Sequence, residues 1–239
     1  MSTNDHRTPG LPITGALAGA ALAGYVLPSL AFYSPTLRGL LGVEARTADG
    51  HGYALTFDDG PHAQGTPAVL EILAREQVHA TFFLVGEQVR RDPGLAHEIV
   101  AAGHSVGVHC DRHRNLLRLA PWQVRDDIAR AQAAIEASTG RSPELYRPPY
   151  GILNASAVRL AHARGWRILL WSHWGRDWEA RATPESITTR VTAGAQEGSV
   201  LLLHDADDYS APGSWQRTVA ALPRVLHTLG ERGLAPSEP

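Results

Sequence analysis

Six short apolar runs, Tyr53–Phe57, Ala80–Val85, Ser105–His109, Leu145–Arg147, Arg167–Trp171 and Ser199–His204, alternate with longer amphipathic stretches along the chain. Runs this short with little polar alternation predict strands buried on both faces, and their alternation with helical patterns predicts a parallel β/α architecture. Helical signals fill the intervals. Thr66 followed by Pro67 reads as a cap and first-turn proline, with Val69, Leu70 and Leu73 on one face. Val124, Ile128, Ala131 and Ile135 repeat that spacing and Gly140 marks a stop. Further helices are predicted from about Ala155 to Arg164, Glu185 to Gln196 and Trp215 to Arg232.

One segment departs from this pattern. No charged side chain occurs from Thr8 to Leu37, and Ile13 to Leu27 is nearly all apolar before Pro28. A bilayer span takes about 20 apolar residues and a secretory core about 7 to 15 followed by small residues, which Ala21-Leu22-Ala23 would supply. We expect residues 1–43 to be a membrane anchor or signal-like segment, the alternative being a Gly/Ala-rich terminal helix packed on the domain. Residues 44–52 then form a connector and residues 53–239 a single catalytic domain. That domain is expected outside the cytoplasm, anchored or secreted.

Composition narrows the function classes. The 239 residues are 44% hydrophobic with a formal net charge of -2, which suits one sizeable core and offers no basic stripe for nucleic acid, so no nucleic-acid partner is expected. Cys110 is the only cysteine, which excludes an intrachain disulfide and any CxxC motif; a buried structural thiol is its expected role.

The polar residues of chemical interest stand at the ends of the apolar runs, where the loops of a parallel β/α fold surround one crevice. Asp58 and Asp59 end a strand before Gly60-Pro61 turns the chain, so one carboxylate can bind metal while the other stays free; a solvated turn is the plain alternative. His109 and His113 lie four apart, facing one way if they share a helical turn, and with Asp59 they make the three-ligand set of a catalytic zinc site. Taken alone that spacing is weak, since the chain holds 12 histidines. Arg147 opens a proline-stiffened turn, Arg147-Pro148-Pro149-Tyr150-Gly151, where a guanidinium can hold a carboxylate ionised and the Tyr150 N–H can meet an oxyanion. His204 ends a strongly apolar strand, as a satisfied core histidine or as a general acid for a departing amine. Trp171, Trp174 and Trp178 offer flat faces for sugar rings or for core packing.

TFDDGP, the H-x-x-x-H segment, RPPYG, a tryptophan-containing DW segment and L-x-H occur in order between Tyr53 and Asp205. In this ordered set the chain resembles the NodB-homology polysaccharide deacetylases, carbohydrate esterase family 4. The resemblance implies a distorted (β/α) barrel with fewer than eight strands. It implies one divalent ion, zinc in expectation, on Asp59, His109 and His113. It further implies Asp58 as general base, Arg147 as its positioning partner, Tyr150 as the oxyanion donor and His204 as general acid. The activity implied is hydrolysis of the acetamide of N-acetylglucosamine units in a polymer such as peptidoglycan or chitin, with acetate released. A deacylase of a lipid-linked amino sugar and a non-catalytic carbohydrate-binding relative are the alternatives. Two positions depart from the family pattern: Cys110 follows the first histidine, where Ser or Thr is usual, and Trp174 stands where an aspartate would orient the acid histidine. We expect Asp177 or another carboxylate to take that contact, with Trp178 free to pack on His204, and Trp174 and Trp178 to meet substrate together with Tyr150.

Overall fold

In the computed structural model, which describes residues 13–239 and side chains from residue 19 onward, the apolar runs become strands buried on both faces. They are β1 (Val43–Glu44), β2 (Tyr53–Asp58), β3 (Thr81–Val85), β4 (Ser105–Cys110), β5 (Leu145–Tyr146), β6 (Arg167–Leu169), β7 (His173–Trp174) and β8 (Ser199–His204). All neighbouring strands pair in parallel in the order β1-β6-β5-β4-β3-β2-β8-β7. β1 and β7 are the edge strands, each paired on one side only among the described residues, so the barrel is open. Eight strands form where fewer than eight are expected from the resemblance. The extra pair, β1 and β7, have two residues each and carry no apolar run long enough to announce them.

Helices cover the sheet: α1 (Ile13–Val26), α2 (Pro35–Leu40), α3 (Gly65–Glu76), α4 (Gly86–Arg91), α5 (Pro93–Ala101), α6 (Pro121–Thr139), α7 (Ala155–Ala163), α8 (Pro184–Thr192) and α9 (Ser214–Glu231). The sequence pattern misses α4 and α5, because Pro93 splits one stretch into two short helices. Asp92 closes the first and caps the second by accepting the Leu95 N–H. α6 buries Val124, Ile128, Ala131 and Ile135 and stops at Gly140, whose φ of 68° is the left-handed conformation of a helix stop. α8 starts on a Thr183 cap with Pro184 behind it and ends at Thr192, four residues before the expected boundary. Gly194, at φ 69°, then turns the chain.

The apolar segment at the N-terminus forms α1 and a 3-10 turn, Leu27–Phe32. It is tied to the domain where the Tyr25 hydroxyl donates to the Leu119 carbonyl (2.7 Å) and accepts from the Asn154 amide (2.8 Å). Among the described residues no helix is long and apolar enough to cross a membrane; residues 1–12 of the expected anchor lie outside the described part.

Register decides where the chemistry lies. β2 and β8 pair from Tyr53 opposite Ser199 to Asp58 opposite His204, so both polar residues emerge at the same end of adjacent strands. On the other side of the sheet Val108 pairs with Tyr146, bringing His109 and Arg147 to the same level. Fixing that register is the work of the core between sheet and helices, in which Phe57 stacks on Phe82 with centroids 5.1 Å apart and Leu203 is fully buried. Leu203→Ala is expected to lower the unfolding free energy by about 2–5 kcal/mol, the range for buried leucine truncations, as read from the shift of a urea denaturation curve at constant slope.

Candidate active site

Asp58 and Asp59 leave β2 in different ways. Asp58 shares the inward face of the strand with Thr56, two residues earlier. Asp59 then takes φ 79°, a left-handed conformation uncommon outside glycine, which swings its carboxylate to the histidines. Gly60 follows because nothing larger fits: an added Cβ would lie 2.5 Å from an Asp205 oxygen. Both carboxylates are buried, so each needs a compensating partner.

For Asp58 the partner is Arg147, itself fully buried. Its Nη1 donates to Asp58 Oδ1 at 2.8 Å and to Thr56 Oγ1 at 2.7 Å, while Nε donates to the Leu169 carbonyl at 2.9 Å and Nη2 to that of Leu170 at 3.3 Å. Its guanidinium carbon lies 4.0 Å from the centre of the Phe83 ring. The same residue reaches a third group through its backbone: His109 Nδ1–H donates to the Arg147 carbonyl at 2.8 Å. That bond fixes the tautomer and leaves the His109 Nε2 lone pair toward Asp59 Oδ1, 3.5 Å away.

His113 Nε2 is 3.4 Å from the same Asp59 oxygen. It gets there by a route other than the expected helical turn: β4 ends at Cys110, and a bend carries His113 back over the site. No hydrogen bond to its Nδ1 is made among the described residues, so packing holds the ring. Tyr150 meets it edge-on at 4.5 Å and Tyr209 stacks on it at 4.7 Å and 17°, the Tyr209 hydroxyl donating to Glu87 at 2.6 Å. Tyr150, at φ 61°, is half exposed at the mouth.

Burial and the two neighbouring imidazoles push His113 down to about 4, so at neutral pH it offers a lone pair. Burial opposes the charge on Asp59, but His109, His113 and His204 around it outweigh that and hold the carboxyl below the usual carboxylate range. One donor atom each from Asp59, His109 and His113 lies within 4.8 Å of the others. Asp59 Oδ1 is buried without a hydrogen-bond partner among the described residues. Two imidazole nitrogens and a buried, unsatisfied carboxylate oxygen fit a divalent cation.

His204 stands on β8 with its Nε2 3.9 Å from Asp59 Oδ2. Asp177 makes the contact expected of it: Oδ1 lies 2.9 Å from His204 Nδ1, while Oδ2 accepts the His204 backbone N–H (2.7 Å) and the Thr218 hydroxyl (2.8 Å). Trp178 packs edge-on against the imidazole at 5.4 Å, and Trp174, partly exposed, lies 5.5 Å beyond it. These groups surround a cavity of about 210 Å³. Tyr209 lines it too, together with Leu202 and Ser210. Sequence reasoning missed Tyr209 although it lies on the loop that leaves the end of β8, the kind of loop that surrounds the crevice.

The sequence model of the polysaccharide deacetylase family matches residues 45–169, and the chain belongs to that family. It is 37% identical over 180 residues to the peptidoglycan-N-acetylglucosamine deacetylase PgdA of Listeria monocytogenes, covering 75% of this chain but only 36% of that relative. A chitooligosaccharide deacetylase of Azorhizobium caulinodans is 35% identical over 204 residues, 82% of this chain and 97% of the relative. Among solved structures, the Bc1960 peptidoglycan N-acetylglucosamine deacetylase superimposes with a TM-score of 0.75 at 30% identity, covering 82% of this chain and 89% of that one.

Burial alone would strip the proton from His204, yet Asp177, with help from Asp59 and Asp58, pushes its pKa up to about 10. A raised histidine pKa contributes stability that is fully present below the unfolded value of about 6.5 and is lost as pH rises through about 10. Asp177→Asn is therefore expected to move the His204 midpoint down toward the ordinary imidazole value, followed by NMR of the imidazole carbon-bound protons across pH. An unmoved midpoint would show that Asp177 does not set it.

Proposed function

We propose that this chain hydrolyses the acetamide of N-acetylglucosamine units in a carbohydrate polymer, peptidoglycan or chitin-like, giving acetate and the free amino sugar. The observation that carries this reading is one cavity bordered by an arginine-paired carboxylate, an aspartate-backed histidine and a three-residue divalent-cation set. Binding a sugar needs no such combination; breaking an amide does.

Asp58, held by Arg147, is the group that accepts a proton from the attacking water. The Tyr150 N–H, on its stiff turn, donates to the oxygen that gains charge as the carbonyl carbon becomes tetrahedral. His204, kept protonated at neutral pH by Asp177, gives its proton to the sugar nitrogen as the C–N bond breaks, so the amine leaves neutral. Asp59, His109 and His113 would hold one divalent ion, zinc by the donor set, which when bound supplies Lewis acidity at the carbonyl and lowers the pKa of water. Tyr150, Trp174 and Trp178 offer ring faces to the sugar. The exposed leucines of the N-terminal segment, Leu22, Leu27, Leu30 and Leu40, support membrane contact, and the proposed polymer substrate supports a position outside the cytoplasm.

Acetate release from N-acetyl chito-oligosaccharides and from peptidoglycan tests the reading. The protein loaded with a divalent metal should release acetate, chelation should stop it and added metal restore it, and Asp58→Asn should lower kcat by about 100-fold or more. Undiminished release by that variant, or binding of both polymers by the metal-loaded protein without turnover, would overturn it.

A further inference from the structure

The aromatic wall of the cavity continues past the rings that line it. Trp178 packs against His204, and Trp174 follows at 5.5 Å. Beyond Trp174 the next ring is Phe32, 5.7 Å away and 5.3 Å from Trp171. Tyr33 then meets Phe32 edge-on at 5.2 Å. The last two rings belong to the N-terminal segment, ahead of residues 45–169 matched by the family. A file of aromatic rings thus runs from the histidine at the centre of the site to a tyrosine 81% exposed.

The turn that carries Phe32 and Tyr33 is rigid. Ala31 is fully buried, and the Arg38 guanidinium donates to the carbonyls of Ala31 (3.3 Å) and Phe32 (2.9 Å). The Tyr33 N–H donates to the Leu30 carbonyl at 3.0 Å, and Ser34 caps α2 by accepting the Leu37 N–H. Phe32 also packs on the turn that holds Tyr150: a Cβ added at Gly151 would lie 2.9 Å from Trp171 and 3.5 Å from Phe32. The backbone of Tyr33 is therefore held by these bonds, and its ring rests edge-on against Phe32. A tyrosine with two side-chain torsions, an apolar face and a hydroxyl tip, held by a stiff turn, presents a binding surface at low entropic cost.

We propose that Phe32 and Tyr33 form a distal sugar subsite, Tyr33 stacking on a ring of the polymer beyond the unit whose acetamide enters the cavity, with Phe32 as its support. The occupant is the N-acetylated carbohydrate chain itself, because the patch is continuous with the wall of the reacting site. This rests on the proposed function and deepens it: the N-terminal segment would make this chain prefer oligomers long enough to span both positions.

Calorimetric titration of chitobiose and chitohexaose into the metal-loaded protein tests this, with Asp58→Asn as the background so that turnover cannot interfere. Adding Tyr33→Ala should weaken chitohexaose binding about three- to tenfold, the scale of one aromatic contact, and leave chitobiose binding as it was. Tyr33→Phe, which keeps the ring, should retain most of the chitohexaose affinity. Equal losses for both lengths, or none for either, would overturn the subsite. So would loss of binding to anionic lipid vesicles with chitohexaose affinity unchanged, which would assign Tyr33 to a membrane. The readout is binding, so it stands apart from whether acetate is released; failure of the deacetylase reading would show as absent turnover in the parent protein.

Discussion

A charged guanidinium with no solvent access is tolerable only where its donors are used, and Arg147 uses them. Its bonds to Leu169, Leu170, Thr56 and Asp58 tie β2 to the loop after β6 across the interior, and its own carbonyl sets the His109 ring. Removing the charge would leave Asp58 buried and unpaired, and moving the backbone would release a histidine of the cation set. The proposed base, a histidine of the candidate cation set and the barrel interior are held by one residue.

A second pair balances the first. Asp177 stands behind His204 as Arg147 stands behind Asp58, and each partner is buried more deeply than the group it serves. In the proposed reaction the carboxylate of one pair takes a proton and the imidazole of the other gives one, and the register of β2 against β8 sets the two side by side. The candidate cation set between them relies on conformations most residues avoid: Asp59 and Tyr150, both with positive φ, lie against the His113 ring. Strain of that kind persists because the surrounding core fixes the strand ends.

Much of this was legible in the sequence because buried parallel strands leave plain apolar runs, and because each motif falls where such a run stops. The strands β2 to β6 and β8 and the α6 face with its Gly140 stop follow from the apolar runs and periodicity alone. Elements that owe their existence to tertiary context did not show. β1 and β7 are two-residue pairings to a sheet already formed, and His113 reaches Asp59 along a bend that its spacing from His109 does not encode. Tyr209 joins the site from a loop, and Phe32 reaches Trp174 from a segment before residue 45, by ring packing that no local pattern announces. That a carboxylate near Trp178 would back His204 was expected, but that Asp177 does so with Thr218 behind it depends on α9, far along the chain.

The central claim, that the fork of Arg147 positions the base, is tested most directly by the steady-state kinetics of Arg147→Lys on an N-acetyl chito-oligosaccharide. Lysine keeps the positive charge but lacks the planar fork that reaches Asp58, Thr56 and two carbonyls together. With metal occupancy matched to the parent protein, kcat should fall by about 100-fold while KM stays within about twofold. A kcat equal to that of the parent would show that charge alone suffices at this position, and would contradict the account.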